Sequence, residues 1–145
     1  MFLDLRRYRA ALREHRQTPF TPPVPAVVAL EAALEELEEA GGVSARRLEY
    51  QARSARLRAG LKGLGFRMRF DGPGSASSLT IVQLPSGFTF DRFSQAVRAR
   101  GFLIYRGKGP ISHDCFLLAN MGHIDLGTID RFLEALADIT GQPEH

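Results

Sequence analysis

The sequence is poor in several features that would place it in a particular class of protein. Cys115 is its sole cysteine, so an internal disulfide is excluded and a reducing compartment, the cytoplasm, is expected. No apolar run approaches the ~18 residues that a membrane-spanning helix requires, and residues 1–15 mix acidic and basic side chains where a signal peptide would be apolar. Lysine is also scarce, and the chain contains only Lys62 and Lys108.

Strong excess charge is absent as well, since the net charge of the 145 residues is +3 at neutral pH. The densest run of arginines, between Arg46 and Arg58, predicts a basic stripe along a helix, which is one way to contact phosphates. Such a stripe is more often a solvated helix face, and acidic residues at 35–39 are close in sequence. We therefore expect no nucleic-acid partner.

Hydrophobic periodicity and turn residues predict helices followed by a small sheet. The proline-rich segment 17–25 and the glycines at 41–42 separate three helices, and a β-β-α-β-β-α pattern follows. We expect an α+β fold with an N-terminal helical segment (1–42) and a C-terminal small domain (43–145), whose mostly antiparallel sheet has helices on one face. The predicted helices are 3–15, 26–40, 44–64, 89–100 and 125–140, and the predicted strands are 66–70, 79–84, 102–105 and 116–120.

The most specific motif is residues 101–122, GFLIYRGKGPISHDCFLLANMG. IYRGK in its first half, with CF and NMG in its second, resembles the C-terminal signature of class V pyridoxal-phosphate-dependent aminotransferases, most closely the 2-aminoethylphosphonate–pyruvate aminotransferase family. FTPP at 20–23 and LEELEEAGG at 34–42 extend the resemblance. It implies the small domain of a fold-type I pyridoxal-phosphate enzyme.

The resemblance also implies that the chain is incomplete as an enzyme. Family members use pyridoxal phosphate, and their N-terminal large domain carries the central parallel sheet and the Schiff-base lysine. Neither Lys62 nor Lys108 matches that lysine, so we assign no catalytic residue and expect no covalent bond to the cofactor. The partner implied is a second copy, in a homodimer, or a chain that bears the large domain. The alternative function is a non-catalytic interaction module that has kept the fold.

Three positions matter for the site that the resemblance implies. Thr21 matches a threonine that reaches the cofactor phosphate of the neighbouring subunit, although a turn threonine can instead cap nearby backbone. Leu117 stands where the family has the arginine that binds the substrate's acidic group, which predicts at least tenfold weaker substrate binding. Arg106 stands where the family has proline and is a candidate substitute, although a surface arginine is the commoner outcome.

Other combinations of reactive residues are not expected to carry chemistry. His113, Asp114 and Cys115 are adjacent, and neighbours on a strand point to opposite faces, so they cannot form a nucleophilic triad. The histidines have no metal-ligand spacing with one another or with the cysteine, so no metal site is predicted.

The N-terminal helices are predicted to expose apolar surface to water. Without a large domain, the first helix (Leu3 to His15) and the stripe from Val27 to Leu37 should leave apolar surface uncovered, and large apolar patches normally mark interfaces. We therefore expect self-association or a tight partner at residues 3–40.

Overall fold

The computed structural model describes residues 4–141, and it divides the chain into two compact units, of which the first ends at Val43 and the second begins at Ser44. Within the described residues, none of the helices combines the length and the apolar character that crossing a membrane requires. The helices are α1 (Leu5–His15), α2 (Val24–Glu39), α3 (Gly42–Gly63), α4 (Phe90–Ala99) and α5 (Leu126–Thr140), and the strands are β1 (Leu79–Gln83), β2 (Tyr105–Arg106) and β3 (Cys115–Ala119).

The first unit contains α1 and α2. The Asp4 carboxylate caps α1 by accepting the backbone N–H of Arg6 at 3.0 Å. α2 begins at Val24, two residues earlier than predicted, because Pro25 fits the first turn of a helix. Neither helix has a buried residue in the described part of the chain, and the apolar side chains of α2 stay exposed.

The sheet lies in the second unit and has the strand order β1–β3–β2, with both pairs antiparallel. One face packs against helices: the Phe116 ring lies 5.2 Å from the Phe93 ring of α4, and Leu118 borders the same cavity as Ile129 of α5. These contacts confirm the predicted α+β fold with helices on one face. The core includes Leu57, Leu61, Val82, Phe93, Val97, Phe116, Leu118, Ile129, Leu133 and Leu136.

The strand predicted at 66–70 is wrong in extent. This segment makes one isolated bridge, between Met68 and Val82. The chain has just left α3 through a left-handed glycine, and the N–H of Phe66 returns to the Leu61 carbonyl at 2.9 Å. Because this bond holds the segment's first residue against the helix end, pairing with β1 starts later and stays short.

The strand predicted at 102–105 is also largely wrong, since only Tyr105 belongs to β2. The cause is the same, because the N–H of Phe102 donates to the Val97 carbonyl of α4 at 3.3 Å. The bend after α4 therefore delays pairing with β3 until Tyr105.

Candidate functional site

The face of the sheet away from the helices is largely open. Leu117 lies at its centre, and its register partners are Ile81 on β1 and Tyr105 on β2. Paired residues of antiparallel strands project to the same side of a sheet. Ile81 and Leu117 are half-buried and Tyr105 is exposed, so this face carries an apolar row. That Leu117 occupies the place of a substrate-binding arginine stays a prediction.

Arg106 contacts the helix-covered side of the sheet. Its Nη2 donates to Asp91 Oδ1 at 2.5 Å, and its guanidinium lies 4.5 Å from the centre of the Phe90 ring. Both partners belong to the start of α4. A contact between Arg106 and a ligand beside Leu117 would require it to leave both, and its role in substrate binding stays a prediction.

Arg69 is an open-face arginine that our sequence analysis did not select. Met68 packs against the core, so Arg69, the next residue, projects to the opposite side. The backbone N–H of Arg69 donates to the Ile81 carbonyl at 2.9 Å, which places Arg69, Ile81 and Leu117 in one row. The signal in the sequence is the alternation of FRMRF, in which the arginines beside a core methionine must face away from the core.

Thr21 lies in the segment between α1 and α2, and its side chain is exposed. Within this segment the Thr18 hydroxyl donates to the Phe20 carbonyl at 2.6 Å, so a local turn is closed by a different threonine. The contact between Thr21 and a cofactor phosphate stays a prediction.

Neither lysine lies in surroundings suited to a Schiff base. Lys62 pairs its Nζ with Asp71 Oδ2 at 2.5 Å, and its side chain is 61% exposed. Lys108 is exposed at the start of the short 3-10 helix Gly109–Ile111. A Schiff-base lysine is normally activated by removal from water or by a neighbouring cation, and both amines lack that burial.

Cys115 is fully buried on β3. Burial raises the pKa of the Cys115 thiol, and a hydrogen bond with the Asp114 side chain raises it further. Because the thiolate is the reactive form, a thiol with a raised pKa is a poor nucleophile. Across residues 4–141, no group of three or more metal-binding side chains is close enough to hold an ion.

The basic stripe predicted along α3 is largely paired. Arg53 donates to the Gly122 carbonyl at 2.9 Å and to Glu49, and Arg56 pairs with Asp130 at 2.7 Å. These arginines connect α3 to other parts of the second unit or to acids on its own surface. The absence of a nucleic-acid partner stays a prediction.

Comparison with known proteins gives a consistent result, although no protein-family model matches the chain. The 2-aminoethylphosphonate–pyruvate transaminase of Klebsiella pneumoniae is 36% identical over 137 residues, which cover 92% of this chain and 37% of that protein. An aspartate aminotransferase structure from Thermus thermophilus is 28% identical, with a TM-score of 0.80. The match covers 95% of this chain and 39% of the Thermus chain. An alanine–glyoxylate aminotransferase from Nostoc sp. shares the fold, with a TM-score of 0.85 and 18% identity. The match covers 96% of this chain and 37% of the Nostoc chain.

The matches extend over nearly the whole of this chain, but the chain spans just 37% of the length of the curated relative. They agree with the signature at 101–122 and do not favour the interaction-module alternative. The chain is therefore similar, over nearly its whole length, to the C-terminal part of class V pyridoxal-phosphate-dependent aminotransferases.

Proposed function

We propose that this chain is the small-domain part of an amino-transferring enzyme and is active only together with a large domain. The supporting observation is the alignment, which covers 92% of this chain but 37% of the Klebsiella transaminase. That relative's name gives 2-aminoethylphosphonate and pyruvate as the reacting pair, and we propose the same pair for the assembled enzyme.

Pyridoxal phosphate is the proposed cofactor, with most of its contacts made by the large domain. When bound, it serves as the electron sink for amino transfer. The Thr21 hydroxyl fits a phosphate contact, because it is exposed and the following prolines limit the entropy lost on binding. Lys62 and Lys108 do not fit covalent attachment, because they lie in water rather than in a pocket.

The apolar side of α2 is the proposed contact for the large domain. Val27, Leu30 and Leu34 follow helical spacing along one side, and each is more than half exposed. Water contact with a continuous apolar side is unfavourable and normally marks an interface. The large domain is the proposed occupant because the matched relatives are far longer than this chain. A second copy of the chain, as in a homodimer, is the competing occupant.

Co-expression with the N-terminal part of the Klebsiella transaminase, ending where the match begins, tests this proposal. We expect a stable complex by size-exclusion chromatography with light scattering. We also expect it to transfer the amino group from 2-aminoethylphosphonate to pyruvate, which neither chain does alone. Leu34→Glu should prevent assembly, whereas the neighbouring Glu35→Gln should not.

Two results would contradict the proposal. One is a chain that stays monomeric in the presence of the large domain. The other is a chain that associates with itself alone through α2, which would favour the homodimer as the occupant of this surface.

A further inference from the structure

A cavity of about 590 Å³ lies on the open side of the sheet, between β1 and the loop at residues 70–76. Leu79 and Ile81 contribute apolar lining. Its charged side chains are Arg58, Arg69 and Asp71. The cavity thus combines an apolar surface with two guanidinium groups and one carboxylate.

The carboxylate of Asp71 is already matched. Its Oδ1 accepts from Arg58 Nη1 at 3.2 Å, and its Oδ2 pairs with Lys62 at 2.5 Å. Arg58 uses most of its other donors within the protein, because it also donates to the carbonyls of Phe70 and Ala76 at 2.9 and 3.3 Å. These groups hold the loop in place and leave Arg69 as the cation that is weakly paired.

The guanidinium of Arg69 has a loose partner. Its Nη1 lies 3.7 Å from Asp114 Oδ2, which is beyond hydrogen-bonding distance, and the two side chains are 44% and 53% exposed. An exposed ion pair of this kind contributes little to stability, so an anionic ligand can take the place of Asp114 beside Arg69 with little loss of folding free energy. A guanidinium can bind a carboxylate or phosphonate with two parallel hydrogen bonds.

We propose that Arg69 binds the acidic group, a carboxylate or a phosphonate, of a small organic acid lying on the open face of the sheet. Arg69, on the segment bridged to β1, lies in one row with Ile81 on β1 and Leu117 on β3. Neighbours in this row are about 4.8 Å apart, so an acid above Ile81 lies one such spacing from Arg69. The apolar part of the ligand would rest on Ile81 and Leu117. That this ligand is the substrate of the assembled enzyme rests on the function proposed above.

Nuclear magnetic resonance titration of the purified chain with acetate, and separately with methylphosphonate, tests this assignment and distinguishes the two acids. We expect saturable shifts of the Ile81 and Leu117 amides. Arg69→Gln should weaken binding at least tenfold, because it removes charge-assisted hydrogen bonds, and Arg69→Lys should retain part of the affinity. Arg67→Gln is the matched control, since Arg67 lies on the same segment but lines another cavity, and it should leave binding unchanged.

The absence of saturable shifts with both anions would overturn the proposal, as would unchanged binding by Arg69→Gln. Loss of binding in Arg106→Gln with full binding in Arg69→Gln would also overturn it and would assign the role to Arg106. The titration needs no large domain, so its failure is distinct from a failure to assemble with that domain.

Discussion

At the scale of the residue, the second unit depends on a few side chains that join distant backbone segments. Arg58 of α3 contacts both ends of the loop at residues 70–76 through the carbonyls of Phe70 and Ala76. Asp71 lies between Arg58 and Lys62 and accepts hydrogen bonds from both. The loop that borders the proposed anion site is therefore positioned by charged hydrogen bonds rather than by apolar packing.

The charge of Asp71 gives a pH-dependent contribution to stability. The hydrogen bond from Lys62, with a further contribution from Arg58, holds the pKa of Asp71 below its ordinary value. A carboxyl group whose pKa is lower in the folded state stabilises the fold above its unfolded pKa, and this contribution is lost as the pH falls through the folded pKa. We expect the free energy of unfolding to fall below about pH 4, and Asp71→Asn to flatten that dependence. Denaturant titrations at several pH values check this. The same change of unfolding free energy with pH in the native protein and in Asp71→Asn would contradict it.

At the scale of the element, the close approach of α3 to α5 depends on a glycine. A Cβ atom at Gly60 would lie 2.2 Å from Cδ1 of Leu133, whose side chain is buried in the core. At Gly63, one turn later in α3, no atom would lie within 4 Å of the added Cβ. The two glycines thus lie in the same helix, but Gly60 has no space for a side chain and Gly63 does.

This contrast predicts opposite effects for two alanine substitutions. Gly60→Ala should lower the free energy of unfolding by about 1–3 kcal/mol, because the buried Leu133 side chain must move. Gly63→Ala should leave it unchanged or raise it by up to about 1 kcal/mol, because alanine favours a helix. Urea denaturation of both variants measures the difference. Equal effects of the two substitutions would show that α3 and α5 are not in close contact at Gly60.

At the scale of the whole molecule, burial is distributed unequally between the two units. In the part of the chain that the structure describes, every buried side chain belongs to the second unit, while α1 and α2 have none. The second unit has the core of a small domain, and the first has an exposed apolar surface. This division is physically consistent with a chain whose relatives are much longer.

The cofactor chemistry of the isolated chain can be predicted from the surroundings of its two lysines. Incubation with pyridoxal phosphate, reduction with borohydride and intact-mass measurement should show no stoichiometric label on a lysine, because Lys62 and Lys108 lie in water. The full-length Klebsiella relative serves as the positive control. Stoichiometric labelling confined to one lysine would contradict the prediction and would identify an attachment site in this chain.

Local sequence determined where α4 and α5 begin, and it determined the motif that resembles the aminotransferase signature. Asp125 caps α5, as predicted, by accepting the N–H of Thr128 at 2.7 Å, and the Thr89 hydroxyl caps α4 in the same way. Such bonds join residues three positions apart, so the identity of the residues is sufficient to predict them. The motif at 101–122 could likewise be recognised from the sequence, because its residues are contiguous in the chain.

Tertiary structure decided which side of the sheet Arg106 contacts and which residues lie beside Arg69. Arg106 was a reasonable candidate from its place in the motif, but its contacts with Asp91 and Phe90 depend on how α4 packs on the sheet. Arg69 joins the open face because Met68 pairs with Val82, a residue far along the chain. The register of a strand is set by its partner, and a shift of one residue would move every side chain to the opposite face. The sequence by itself therefore determined the helices, two of the four predicted strands and the resemblance to the aminotransferases. Non-local pairing decided the extent of the other two strands and which residues line the site.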